Sequence, residues 1–159
     1  MSMKPQGLEP IPEETERMAK RSSPKGTLAM QLRDALGPTY SDEAFAGLFP
    51  KRGKGAIKPS GLAMVTVLQA LEGLTDRQAA EYVRMRIDWK YALSLPLDDE
   101  GFDASVLTEF RERLVVHGAE ELLLEPILQV SRKLGWLKEG GKQRTDSTAV
   151  LASVRALNS

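Results

Sequence analysis

The sequence predicts an all-α fold, a compact multi-helix bundle that includes a helix-turn-helix-like segment. Between residues 27 and 135, apolar residues recur at helical spacing, and no run alternates apolar with polar residues as a strand would. Residues that start and stop helices bound most of these stretches. The pattern changes only after Gly140-Gly141, where we place a domain boundary.

The N-terminal segment differs in composition from the rest of the chain. Residues 1–26 contain four prolines among mixed charges, which predicts a flexible arm with one short helix near residues 13–20. A helical domain is predicted over 27–140. Its first helix starts at Thr27, a good N-cap, and is stopped by Gly37-Pro38.

The next two predicted helices flank a basic loop. Acidic residues suit the first turn of a short helix over 41–48. The loop over 51–58 carries two glycines and has only lysine and arginine as charged residues. The helix over 59–71 is apolar most of the way round, and Gly73 suits its C-terminal end. We therefore place this helix at the centre of the core.

Two further helices have helix-turn-helix dimensions. Thr75 and Gln78 form a capping box that opens a helix over 75–84, and a turn of about four residues leads to a helix capped by Asp88. In this interpretation Tyr91 reaches a groove of DNA. The alternative is a three-helix packing that binds nothing, because Trp89, Ala92 and Leu93 look like core residues.

The last predicted helices complete the domain. Asp103 or Ser105 caps a helix that runs to residue 116, and a helix over 119–134 follows with Pro126 inside it, where we expect a kink. The paired arginines Arg111 and Arg113 are predicted to be solvated or paired with Glu109 and Glu112 on their own helix.

Composition excludes several classes of protein. The 159 residues include no cysteine, which excludes disulfides and thiolate metal sites. The first residues lack the apolar stretch of a secretory signal, and no apolar run is long enough to span a membrane. We therefore expect a cytoplasmic protein without a membrane partner.

Charge is balanced overall but uneven along the chain. Basic and acidic residues number 22 each, which argues mildly against a protein that coats nucleic acid. Residues 51–90 nevertheless hold eight basic against four acidic residues, a net of +4, whereas 98–125 has a net of −7. The basic region predicts phosphate contact, and solvated helix faces are the alternative. The predicted DNA-binding residues are Lys51, Arg52, Lys54, Lys58, Arg84, Arg86 and Lys90.

Asp146 is the candidate for metal chemistry. It lies in a short stretch of hydroxyl residues at the start of an extended apolar segment. Enzymes that cut or join DNA hold two Mg²⁺ ions with several carboxylates, one of which is often on a central strand. By spacing alone, an isolated Asp-Ser-Thr is better explained as a turn or a helix cap.

Five blocks in order resemble the N-terminal part of bacterial insertion-sequence transposases of the DDE type. They are KPSGLA at 58–63, LQALEGLTDRQAA at 68–80, IDWKYAL at 87–93, FDASVLTEFRERL at 102–114 and RTDST at 144–148. The resemblance implies a helical domain that recognises the terminal repeats of the element or assembles the transposase complex. It also implies that Asp146 is the first of three catalytic, metal-binding carboxylates in a ribonuclease-H-like α/β domain.

The resemblance carries expectations about the rest of the chain. Residues 141–159 would be a stub of the catalytic domain, its first strand only, because no acidic residue follows Asp146. The chain would then be a truncated transposase, inactive by itself, and Mg²⁺ would belong to the complete parent enzyme. Expected partners are DNA at the element ends, and this chain itself or an intact transposase. The alternative is a stand-alone helical adaptor or regulator that inhibits an intact transposase through protein contact.

Overall fold

The computed structural model describes residues 10–36, Phe45 and residues 58–134. Within these residues the chain forms helices and no strand, so the all-α prediction is confirmed for the part described. The predicted stub over 141–159 and most of the predicted helix over 41–48 lie outside it. The helices are α1 (Glu13–Ser22), α2 (Leu28–Leu36), α3 (Pro59–Glu72), α4 (Asp76–Met85), α5 (Ile87–Leu93), α6 (Ala104–Val116) and α7 (Glu120–Leu134).

Helix α3 is the central helix, as predicted. Every residue from Pro59 to Ala70 is buried, because this stretch is apolar on all sides and other helices cover it. The hydroxyl of Thr66 donates a hydrogen bond of 2.8 Å to the carbonyl of Leu62, which satisfies a polar group inside the core. Gly73 ends the helix at φ 68°, a left-handed conformation that favours glycine.

The start of α4 is fixed by the predicted capping box. The amide of Gln78 donates to the hydroxyl of Thr75 over 3.1 Å, and the amide of Thr75 donates to the side-chain oxygen of Gln78 over 3.0 Å. Ala79 and Val83 are fully buried on the inner face of the helix. The opposite face of α4 is therefore left to solvent.

Helix α1 confirms the short helix predicted near residues 13–20, and it packs against α5. The hydroxyl of Thr15 donates to the carbonyl of Leu95 over 2.7 Å, and Ala19 joins Met30 and Tyr91 in a small second core. Residues on one face of α1 are thus part of the packed body. The exact domain boundaries at 26/27 and 140/141 stay predictions.

Helix α5 is a core helix. The sequence predicts it as the second helix of a helix-turn-helix that reaches DNA, and the structure corrects that prediction. A single residue, Arg86, joins α4 to α5, so the predicted turn of about four residues and the cap at Asp88 are wrong. All residues from Trp89 to Leu93 are buried, since α1, α2, α3 and α4 pack around this short helix. The Tyr91 hydroxyl donates to Asp34 over 2.8 Å and reaches no groove. Burial raises the pKa of Tyr91 to about 12, so it keeps its proton at neutral pH.

Helices α6 and α7 close the bundle. The carboxylate of Asp103 caps α6 by accepting the amide of Ser105 over 2.9 Å, and Leu107, Phe110 and Leu114 point into the core. The ring of Phe45 lies 5.8 Å from that of Phe110. Helix α7 continues through Pro126. None of the described helices is both long and apolar enough to cross a membrane.

Candidate nucleic-acid interface

An ion pair between α4 and α6 holds the first turn of α4 in place. Arg111 binds both carboxylate oxygens of Asp76, at 2.6 Å and 2.9 Å, and its side chain is only 10% exposed. The Thr108 hydroxyl and the Gln69 amide donate to the same carboxylate. The hydrogen bonds from Arg111 hold the pKa of Asp76 far below its usual range. The prediction that Arg111 is solvated or paired on its own helix was therefore wrong.

A second ion-paired cluster surrounds Arg86, between α4 and α5. Its guanidinium binds Glu72 at 3.0 Å and Asp88 at 2.6 Å. It also lies over the rings of Tyr82 and Trp89, with centroid distances of 4.9 Å and 5.8 Å. Arg86 is therefore bound to side chains of the bundle on several sides.

Lys90 points inward. The residue is 2% exposed, and its ammonium donates to the backbone carbonyl of Asp99 over 2.7 Å. Burial lowers the pKa of Lys90. The side chain of Asp99 in turn accepts the amide of Gly101, so Lys90 helps to fix the loop that precedes α6.

The structure thus separates the predicted DNA-binding residues into three groups. Lys90 is buried, and Arg86 is half-buried and ion-paired, whereas Arg84 is exposed and Lys58, just before α3, is half-buried. Lys51, Arg52 and Lys54 lie outside the described residues. The DNA-binding role of the set stays a prediction, and Arg86 and Lys90 take no part in the proposed DNA surface.

The outer face of α4 carries Arg77, Glu81 and Arg84, all exposed. Within the described residues, no ion pair joins either arginine to an acidic side chain. The loop before α6 lies beside this helix, because a β-carbon added at Gly101 would be only 3.5 Å from Cβ of Arg84. Gly101 has φ 79°, a left-handed conformation that favours glycine at this close approach.

A shallow groove of about 700 Å³ runs along this face. Sequence reasoning missed Arg77 as a site residue. Its spacing of seven from Arg84, on the side of α4 opposite Ala79 and Val83, is the signal that would have found it. The residues that line the groove are Arg77, Ala80, Glu81, Arg84, Glu100, Phe102, Asp103 and Ala104.

The predicted metal site falls outside what the structure describes. Asp146 is not among the described residues, and within those residues no group of three or more histidine, cysteine or acidic side chains could hold a metal ion. The catalytic role of Asp146 and the Mg²⁺ of the parent enzyme therefore stay predictions.

The described residues form a small helical domain with ion pairs between its helices and an exposed, charged outer face on α4. Residues 17–113, from α1 into α6, match the family described as Transposase domain (DUF772). The match covers more than half of the chain, and the protein belongs to this family of transposase domains, as the resemblance predicted. The DDE class of the parent stays a prediction. Comparisons with curated proteins and with solved structures give no match.

Proposed function

We propose that this domain serves transposition by binding DNA at the ends of the mobile element. In this proposal the described contact residues are Arg77 and Arg84 on the outer face of α4, and the basic residues of 51–58 are further contact candidates from the sequence. The family match supports a role in transposition. The contact residues are chosen because, within the described residues, Arg77 and Arg84 form no ion pair, unlike Arg111.

The proposal rests on one observation: ion pairs within the domain occupy most acidic residues of the region 51–90. Of the four acidic residues in 51–90, Glu72 and Asp88 pair with Arg86, and Asp76 pairs with Arg111. Glu81 is then the one acidic residue of this region that faces solvent without such a pair in the described structure. Arg86 and Lys90 are occupied in the bundle as well, so the outer face of α4 is left with Arg77 and Arg84 against Glu81, a small positive excess.

The spacing of the two arginines suits contact with a phosphate backbone. Seven residues of α-helix separate them, which is about 10 Å along the axis, so both project from one face. Guanidinium groups bind phosphate with paired hydrogen bonds. Glu81, Glu100 and Asp103 share the groove and weaken the attraction, so we expect modest affinity. Because few phosphates are neutralised, the affinity should fall along a shallow line in the plot of log affinity against log salt.

Replacing both arginines, Arg77→Ala/Arg84→Ala, should lower DNA affinity about tenfold. Each neutralised phosphate contributes a slope of about −0.9 to the plot of log affinity against log salt, so this slope should become shallower by about two. The measurement is fluorescence anisotropy at several salt concentrations. Probes are duplexes tiled from the DNA that flanks the coding sequence, together with a shuffled duplex.

The matched control is Arg21→Ala/Lys25→Ala, which removes two exposed charges near the end of α1. It should change the affinity by less than about twofold, since it lies outside the proposed surface. Equal losses in both variants would show that only net charge matters and would remove the α4 surface from the account. Absence of binding by a folded chain to every duplex would favour the alternative, a regulator that acts through protein contact.

A further inference from the structure

A carboxylate lies at the middle of the proposed DNA surface. Glu81 is exposed on the outer face of α4, with Arg77 four positions before it and Arg84 three positions after it. These spacings allow ion pairs along a helix, but within the described residues Glu81 pairs with neither arginine. The three side chains are therefore available for contacts outside the domain.

An acidic residue at this place opposes DNA binding in general. A carboxylate near a phosphate backbone is repelled whatever the base sequence, so Glu81 lowers the affinity for DNA as such. The repulsion is offset only where a base presents a hydrogen-bond donor, because an ionised carboxylate can only accept. In the major groove the donors are the amino groups of cytosine and adenine. Cytosine fits a carboxylate better, because the N7 acceptor of adenine lies beside its amino group.

We propose that Glu81 reads sequence in the major groove by accepting a hydrogen bond from the N4 amino group of a cytosine. This inference rests on the proposed function, since it requires the α4 face to lie against DNA. Arg77 and Arg84 hold the phosphate backbone, which positions the helix without selecting a sequence. Glu81 makes the surface selective, because it is repelled wherever the donor is missing.

The positions of the three side chains on α4 fit this division of roles. At about 100° per residue, Arg77 and Arg84 lie within roughly 20° of one line along the helix. Glu81 lies about 40° to 60° round from that line. The arginines can therefore follow the backbone of one strand while Glu81 is directed toward the base edges beside it. A major groove about 12 Å wide admits one α-helix in this way.

Other polar side chains of this face and its groove are less suited to reading bases. The side-chain oxygen of Gln78 is used in the capping box of α4. The carboxylate of Asp103 caps the start of α6. Glu100 lies in the loop that forms the opposite wall of the groove, not on the helix that carries the arginines. Glu81 is therefore the side chain best placed for base recognition.

The test is selection from a library of duplexes with a randomised central segment, followed by sequencing of the bound fraction. The unchanged chain should favour a C·G pair about tenfold over the other pairs at one position. Glu81→Ala should reduce this preference to below about twofold, while its affinity for a shuffled duplex rises. Glu81→Gln should move the preference from cytosine to adenine, because a glutamine amide accepts from N6 and donates to N7 of that base.

The matched control is Glu100→Gln, which removes one carboxylate from the opposite wall of the same groove. It should raise the affinity for all duplexes evenly and keep the cytosine preference, because only repulsion is removed. Glu81 and Glu100 are both exposed, so circular dichroism of each variant should show the helices unchanged.

The outcomes separate this inference from the DNA proposal. An unchanged chain with no preferred base pair, or the same preference in both Glu81 variants, overturns the reading by Glu81. The α4 surface still stands in that case if Arg77→Ala/Arg84→Ala lowers the affinity. If this double variant binds DNA as tightly as the unchanged chain, the surface itself fails, and the reading by Glu81 fails with it.

Discussion

Replacing Trp89 by alanine should lower the free energy of unfolding by about 4 kcal/mol. Trp89 is fully buried, its ring lies edge-on to Tyr82 at 5.4 Å, and its indole nitrogen donates to Glu72 over 3.4 Å. The change leaves a cavity at the centre of α5 and removes one of the two rings beneath Arg86. Urea unfolding followed by circular dichroism gives the loss.

The control for Trp89 is Met85, four positions earlier and 69% exposed. Met85→Ala should cost less than about 0.5 kcal/mol, because surface changes away from special contacts have small effects. A loss below about 1.5 kcal/mol in Trp89→Ala would mean that α5 does not pack as the structure shows. The burial of Lys90 and Tyr91 on the same helix would then be wrong as well.

Arg111→Met should cost about 3 kcal/mol. Methionine keeps much of the side-chain volume but leaves the Asp76 carboxylate, which is 22% exposed, without its cation. A half-broken buried pair costs more than an absent one, so Arg111→Met/Asp76→Asn should recover at least about 1 kcal/mol relative to the single variant. The same urea titrations measure both values, and a double variant at the sum of the single losses would contradict the pairing.

The Asp76–Arg111 pair also predicts how stability changes with pH. A carboxyl with a lower pKa in the folded state stabilises the fold above its unfolded pKa of about 4, and this contribution disappears as the pH falls. The original chain should therefore lose stability progressively below about pH 5. The loss should be shallower in Asp76→Asn, which has no proton to take up at this position.

Local rules accounted for much of the fold. The order of apolar residues located α3, and the residues that start and stop helices located its glycine end and the capping box of Thr75 with Gln78. Each of these features depends on residues within a turn or two of one another, so a single sequence is sufficient to predict it. The end of α6 at Val116 is a further case.

The features that could not be predicted from the sequence are side-chain pairs between residues far apart in the chain. Arg111 finds Asp76, which is 35 residues away, and Tyr91 finds Asp34, which is 57 residues away. No periodicity reveals such pairs, because they depend on how whole helices pack. The same reason explains why two predicted DNA-binding residues have partners within the protein. From the sequence Arg86 and Lys90 have the pattern of surface cations, but helix packing brings Arg86 to Glu72 and Lys90 to the carbonyl of Asp99.

The outer face of α4 is the proposed contact surface for DNA. Its most direct test is chemical-shift mapping of the ¹⁵N-labelled chain during titration with the flanking-DNA duplex that binds best. We expect the largest shifts in 76–85 and 51–58, loss of these shifts in Arg77→Ala/Arg84→Ala, and little change in α1. Shifts centred on α1 or α7, with residues 76–85 unmoved, would contradict the claim.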